Sequence, residues 1–260
     1  MEFKGIDVSV HQGEIDFKKV KESGINFVMI RTGYGRKQAN QIDKNFNKNY
    51  EKAKEVGLNV GAYHYSYANS VEDAKREAEF CLEIIKGKKF EYPVCFDIED
   101  KSILAYNNRT KTDMAKLFLD TIENAGYYAM LYCNLNWINN YLYKDELLKK
   151  YDFWLAQYEV KEPKINCGIW QKADNGKING IKGYVDLDIA YKDYPSIIKA
   201  KGLNGFSKDK EITYTVQKGD TLWSIADKLL KDGSKWRLIK ELNNLKSDVI
   251  FPNQVLKIPK

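Results

Sequence analysis

Short apolar runs separated by longer amphipathic stretches set the rhythm of the chain up to about residue 195. "KGIDVS", "NFVMIRTG", "NVGAYHYSY", "YPVCFDIE", "YAMLYCN", "DFWLAQY", "CGIWQK" and "YVDLDIAY" each read as a strand, being short and rich in β-branched and aromatic residues. Between the early ones, "IDKNFNKNYEKAKEVG" and "SVEDAKREAEFCLEIIKG" carry apolar residues at helical spacing. Both end in glycine, the residue that most readily makes the left-handed turn closing a helix. Strand alternating with helix predicts a parallel sheet, and at this length a closed β/α barrel. Beyond about residue 126 the helical spacers shorten and lose regularity, so a departure from strict alternation is expected in the second half.

After residue 195 the pattern changes. Residues 196–211, "SIIKAKGLNGFSKDKE", read as a helix tail and a linker, with glycines, serines and lysines and little periodicity. From Ile212 a small βααβ unit is expected: strand "ITYTVQ", turn "KGDT", helices "LWSIADKLLK" and "WRLIKELNNL", turn "FPNQ" and strand "VLKIP". The predicted organisation is a barrel over 1–195, a linker over 196–211 and a second domain over 212–260.

Composition narrows the function classes. Hydrophobic residues at 43% and charged residues at 30% describe a globular chain, and no apolar run approaches the ~20 residues that span a bilayer, so no stable membrane insertion is expected. The start, "MEFKGIDVSV", lacks the basic and apolar regions of a secretory signal, which predicts synthesis in the cytoplasm. Residues 212–260 carry +4 of the whole chain's +6. A solvated basic face explains that more simply than a nucleic-acid partner, and none is expected. Cys81, Cys95, Cys133 and Cys167 are far apart and there are only two histidines, so neither a metal site, a disulfide framework nor a cofactor is called for. Cys95 and Cys133 lie in apolar runs as small buried hydrophobes. The 18 tyrosines and five tryptophans suit carbohydrate faces as well as a core.

The acids carry the chemistry. Barrel enzymes place catalytic groups at the C-terminal ends of strands. Asp7, Asp97, Glu99 and Asp186 are assigned such positions, with Asp188 sharing the face of Asp186. In "YPVCFDIED" the strand period of two puts Asp97 and Glu99 on one face and Ile98 and Asp100 on the other. A single such acid is readily a salt-bridge partner or a cap. Several on one barrel rim raise each other's proton affinity and keep one carboxyl protonated near neutrality. Glycosidic cleavage needs that pairing of a protonated acid with an ionised carboxylate. Glu99 reaches further and suits the acid; Asp97, one pleat deeper, suits the ionised partner that holds a cationic centre or an amide nitrogen. Arg31, Tyr34, Tyr63, Tyr65, Tyr132, Trp154, Tyr158 and Gln171 fall at strand ends or in the following loops as sugar contacts. His11 lies nearer the rim, whereas His64, opposite in phase to Tyr63 and Tyr65, reads as a satisfied buried histidine.

"GIDVSVHQGEIDFKKVKESGINFVMIRTGYG", "GAYHYSYA", "FDIED", "WLAQY", "IWQ" and "VDLDIAY" together resemble glycoside hydrolase family 25, the muramidases, over nearly all of residues 3–191. The resemblance implies cleavage of the β-1,4 bond between N-acetylmuramic acid and N-acetylglucosamine in peptidoglycan, and a flattened, irregular β/α barrel. It implies Glu99 as acid/base, Asp97 as its partner, and Asp7 and Asp186 as the first- and last-strand acids. Where this chain has Asp188 the family often has asparagine, so an extra carboxylate sits there. "YTVQKGDTLWSIADKL" and "NNLKSDVIFPNQVLKIP" are similar to a lysin motif (LysM) module. That implies a binder of N-acetylglucosamine polymers with a groove between Gly219, Asp220, Thr221 and Leu222 on one side and Ile250, Phe251 and Pro252 on the other. Thr221 also reads as a helix cap, and Trp223 and Trp236 as core.

The expected whole is a phage-type endolysin that reaches the wall through a pore-forming holin, with a bacterial autolysin as the alternative. A family 18 chitinase, with D-x-x-D-x-D-x-E, is disfavoured because Tyr92 and Cys95 stand where two more aspartates belong. An inactive wall binder is disfavoured by the intact acids.

Overall fold

The computed structural model describes residues 2–36, 38–207 and 212–258, which fall into two compact units, Met1–Lys208 and Asp209–Lys260. In the first, eight strands close into a barrel in chain order: β1 (Phe3–Val8), β2 (Phe27–Tyr34), β3 (Asn59–Tyr65), β4 (Val94–Asp97), β5 (Ala129–Asn134), β6 (Asp152–Ala156), β7 (Ile169–Gly176) and β8 (Val185–Ala190). Each strand expected from the pattern is present. Helices α1 (Phe17–Glu22), α2 (Phe46–Glu55), α3 (Val71–Ile85) and α4 (Asn108–Asn124) follow the first four strands. After β5 come only the short α5 (Leu135–Asn140) and α6 (Lys144–Leu148), and after β8 comes α7 (Tyr194–Lys201). The loss of regular alternation is thus real.

One expectation fails. β1 to β7 are parallel, but β8 runs antiparallel to both β7 and β1. No helix crosses from β7 to β8. Residues 177–184 turn instead through Gly180 and Gly183, at φ 99° and 93°. A short turn of this kind can join only antiparallel neighbours.

Strand alternation sorts the core into two layers. On β2, Val28 and Ile30 belong to the large cluster under the helices, while Phe27 and Met29 join Tyr92, Cys95, Met130, Trp154, Ile169 and Ala190 in a second cluster. Gly5 makes room for this filling: a Cβ there would lie 2.2 Å from the Phe27 ring. Cys81, Cys95, Cys133 and Cys167 are all buried and unpaired.

The segment expected as helix tail and linker stays with the barrel further than its composition suggested. α7 continues to Lys201. Beyond it Asn204 is fully buried, its Nδ2 donating to the Phe90 and Tyr92 carbonyls and its Oδ1 accepting from the Tyr128 N–H. One asparagine side chain thereby fastens three backbone groups, an arrangement no local pattern announces. The stretch 208–211 lies outside the described residues.

The second unit is β9 (Ile212–Thr215), α8 (Leu222–Leu230), α9 (Trp236–Leu242) and β10 (Val255–Ile258), with β10 antiparallel to β9. Val216, Leu222, Ile225, Ala226, Ile239, Leu256 and Ile258 form its core. Trp236 packs against that core as expected, but Trp223 does not: it is 56% exposed, its ring lying on Gly233, where a Cβ would come within 2.3 Å.

Candidate active site

The pocket follows from strand register. The layer beneath it is filled by Phe27, Met29, Cys95 and Met130; two residues further along the same strands stand Arg31, Asp97 and Tyr132. Asp7 pairs with Asp186 across the β1–β8 ladder. Asp186 is therefore at the start of β8, not the end expected from an all-parallel barrel. The antiparallel return brings that start level with the C-terminal end of β1.

The resulting pocket, about 260 Å³, is lined by Asp7, Arg31, Tyr63, Tyr65, Asp97, Glu99, Tyr132, Trp154, Tyr158, Gln171 and Asp186, together with Ser9, His11 and Gln12. Of the barrel residues singled out from sequence, Tyr34 and Asp188 do not line it. A register shift between Arg31 and Gly33 accompanies the displacement of Tyr34, whose ring meets Tyr67 edge-on at 5.8 Å. Asp188 lies beneath the pocket, buried, its Oδ1 accepting from Trp154 Nε1 at 2.8 Å. His64 is fully buried. Its Nε2 donates to the Gly35 carbonyl (2.8 Å) and its Nδ1 accepts from the Thr32 hydroxyl (2.9 Å). Burial presses its pKa down to about 4, so it stays neutral.

β4 ends at Asp97, which leaves Glu99 on the loop, half-buried, with Asn134 Nδ2 donating to its Oε2 at 3.2 Å. Burial raises the proton affinity of Glu99, with the Asn134 hydrogen bond pulling the other way and Asp100 adding repulsion. Asp97 is deeper, and one of its oxygens, Oδ1, has no hydrogen-bond partner among the described residues. Its pKa is pushed well above the usual carboxylate range by burial and then by Glu99, against the attraction of Arg31. Depth does not make Asp97 the easily ionised member. Glu99 is thus one of the groups that hold the proton on Asp97. Asp186 is raised to about 6 by burial and by Asp174. Asp7 is raised by burial and by Asp186 and Asp188, with Gln171 Nε2 donating to its Oδ2 at 2.7 Å.

Asp100, on the face opposite Asp97 and Glu99, supports the site from outside the pocket lining. It caps the turn that follows β4 by accepting from the Ser102 N–H, and it accepts from the Tyr65 hydroxyl at 3.1 Å. Ser102 and Tyr65 outweigh its burial and hold its pKa below the usual range. Sequence reasoning also passed over Asp43, whose Oδ2 receives Arg31 Nε and Nη2, each at 2.9 Å, and the Val10 N–H at 2.9 Å. Asp43 stands at the head of the stretch expected as a helix, "IDKNFNKNYEKAKEVG", but α2 begins only at Phe46, which leaves Asp43 on the preceding loop. Asn134 was findable, since it ends the strand "YAMLYCN" as the other candidates end theirs.

In the C-terminal unit, Gly219 takes φ 94°. Asp220 Oδ2 accepts the Gln217 N–H (2.7 Å) and the Tyr214 hydroxyl (2.9 Å), and Thr221 caps α8 in a reciprocal box with Ser224. The loop before β10 closes onto the end of β9 through Asn253 N–H to Val216 O and Val216 N–H to Gln254 O. Of the residues assigned to a groove, Leu222 and Ile250 serve the core, while Phe251 is 66% exposed and Pro252 exposed.

A closed barrel with acids crowded at one rim is an arrangement suited to acid-assisted cleavage of glycosidic bonds. The chain belongs to the glycosyl hydrolases family 25, whose model matches residues 6–181, and the LysM domain model matches residues 214–259. It is 34% identical over 190 residues to the autolytic lysozyme of Clostridium acetobutylicum, covering 71% of this chain and 55% of that protein. The chain thus spans little more than half of that relative. Over a stretch of 50 residues it is 54% identical to an N-acetylmuramoyl-L-alanine amidase of Staphylococcus saprophyticus, covering 19% of this chain and 14% of that protein. Among solved structures, the CTP1L endolysin aligns at a TM-score of 0.67 with 26% identity, over 76% of this chain and 70% of that one.

Proposed function

We propose that the barrel cleaves the β-1,4 bond between N-acetylmuramic acid and N-acetylglucosamine of peptidoglycan, and that the LysM unit holds the enzyme on the same polymer. The observation that carries this reading is the meeting of Asp97 and Glu99 in one small acid-lined pocket, with the proton affinity of both raised by burial. Glu99 gives its proton to the leaving oxygen and is left ionised; the Asn134 N–H stabilises that carboxylate, which then acts as the base in the return step. Asp97 Oδ1, buried and without a hydrogen-bond donor among the described residues, is free to accept the N–H of a substrate acetamido group, which favours its ionised state as positive charge develops at the sugar. Asp7 and Asp186 face the same sugar across the β1–β8 ladder. Tyr63, Tyr65, Tyr132, Trp154 and Tyr158 supply apolar faces with polar edges, and the Arg31–Asp43 pair holds one wall.

Tethering through the LysM unit raises the barrel's effective concentration at the wall. Its groove residues Gly219, Asp220, Thr221, Phe251 and Pro252 supply turn backbone and an exposed ring for acetamido sugars. The test is Glu99→Gln. It should abolish release of new reducing ends from purified peptidoglycan while the chain still pellets with the wall. Persistent release would overturn the assignment of the acid.

The biological setting we favour is a phage endolysin released by a holin, in keeping with the likeness to the CTP1L endolysin. The identity to an autolytic lysozyme supports the autolysin alternative. Expression with and without a pore-forming protein separates them: an endolysin lyses its cell only when the pore is present.

A further inference from the structure

Three tyrosines carry the pocket wall outward over the rim. Tyr65 lines the pocket, and its ring lies 5.1 Å from that of Tyr67, inclined at 56°. Tyr67 in turn meets Tyr34 edge-on at 5.8 Å. Neither Tyr67 nor Tyr34 belongs to the pocket lining, and Tyr67 is 48% exposed.

A single exposed ring is ordinary, but this one is held from behind. Glu77 of α3, 1% exposed, accepts from the Tyr67 N–H at 2.8 Å with one carboxyl oxygen and from the Ser66 hydroxyl at 2.6 Å with the other. Ser66 Oγ accepts from the Ala68 N–H at 3.1 Å, which closes the loop on itself. One turn earlier on α3, buried Asp73 pairs with Arg36, two residues beyond Tyr34. The Tyr65 hydroxyl donates to Asp100. All three rings are thus anchored before a ligand arrives, so little ordering entropy is lost when one stacks there. The other exposed tyrosines of the barrel differ. Arg109 lies over Tyr143 at 5.1 Å and Lys177 over Tyr184 at 5.5 Å, while Tyr158 already lines the pocket. Among the described residues no cation covers Tyr67, whose ring neighbours are the two tyrosines.

The size of the pocket points to the occupant. About 260 Å³ is less than the ~300–1,000 Å³ of a cleft that encloses a drug-sized ligand. A glycan of several sugars held at the acids must therefore leave over the rim, and the apolar face of a pyranose ring matches a tyrosine. We propose that Tyr67, braced by Tyr34 and Tyr65, is an outer subsite that stacks on an N-acetylhexosamine unit of the glycan beyond the sugars enclosed at Asp97 and Glu99. Its contact is remote from the reacting bond, so it strengthens binding of long chains without altering the chemical step. The proposal rests on the barrel acting on peptidoglycan glycan, as inferred above.

The test uses the full chain and soluble, peptide-free peptidoglycan glycans of defined length. For Tyr67→Ala, KM on long glycans should rise about three- to tenfold with kcat unchanged, the range expected for one lost ring contact. On the shortest glycan that wild type still cleaves, the variant should match wild type. Tyr67→Phe keeps the ring and should keep the wild-type KM on both. Unchanged kinetics on long glycans, or an equal loss on short and long ones, would overturn the subsite. A second arm reads binding without cleavage: in Glu99→Gln protein, the Tyr67 ring resonances should shift with a long glycan and stay still with the shortest. If the Tyr132 and Trp154 resonances move with the long glycan and Tyr67 does not, the subsite fails while the proposed function stands. A wild-type chain that leaves peptidoglycan intact would fell that function, whereas a shift at Tyr67 would still show the ledge holding glycan.

Discussion

Asn134 serves two neighbours with two atoms, which allows its roles to be separated. Nδ2 donates to Glu99 Oε2 at 3.2 Å, and Oδ1 accepts from the Trp137 N–H at 3.0 Å, capping α5. Asn134→Ser keeps a capping oxygen but is too short to reach Glu99; Asn134→Ala loses both contacts. A hydrogen bond to a charged group contributes about 1.5–3 kcal/mol. At about 1.36 kcal/mol per pKa unit, and with Glu99 only half-buried, its loss should raise the Glu99 pKa by about one unit. An acid that must be protonated to act fails as pH rises through its pKa, so the alkaline limb of kcat/KM should move upward by that amount in both variants. Only Asn134→Ala should also lose about 1 kcal/mol of stability from the missing cap, a fall in Tm of about 2–4 °C for a domain of this size. The assay is reducing-end release from wall fragments across pH, with thermal melts alongside. An alkaline limb that stays put in both variants, or moves down, would refute Glu99 as the proton donor held by Asn134.

Three further outcomes are expected. Glu77 accepts from the Ser66 hydroxyl (2.6 Å) and the Tyr67 N–H (2.8 Å), and burial lifts its pKa from 4.5 to about 7. The folded chain therefore holds a proton that the unfolded chain releases, and stability falls as pH rises from about 4.5 to about 7. Glu77→Gln should melt above wild type at neutral pH and together with it in acid. Gly5→Ala would put a Cβ 2.2 Å from the Phe27 ring, an overpacking that costs about 1–3 kcal/mol; denaturant unfolding should show a lower midpoint, with the unfolding free energy reduced by that amount. Raising ionic strength to about 0.15 M, where the Debye length is about 8 Å, should weaken wall binding by the basic LysM unit. Cleavage of short soluble glycans should change little.

The eight strands, α2, α3 and the βααβ tail were legible because each records its period locally. A residue two along a strand returns to the same face, and a glycine after a helix marks its end. The same local signal found Asp7, Asp97, Glu99, Asp186 and the aromatic residues of the pocket. Asp43, Asp100 and Asn204 were missed or undervalued, because each acts on groups distant along the chain: Asp43 on Arg31, Asp100 on Tyr65, and Asn204 on backbone near residues 90 and 128.

By itself the sequence determined which residues could face inward together and which types of chemistry they carried, since backbone period and side-chain type are properties of the local chain. The direction of β8, the placing of Asp186 at a strand start, the withdrawal of Tyr34 and the burial of Asp188 beneath Asp7 were decided only by tertiary structure. Those features depend on how the last hairpin closes the barrel. The turn through Gly180 and Gly183 sends β8 back against β1, and that register carries one aspartate into the pocket and the other beneath it.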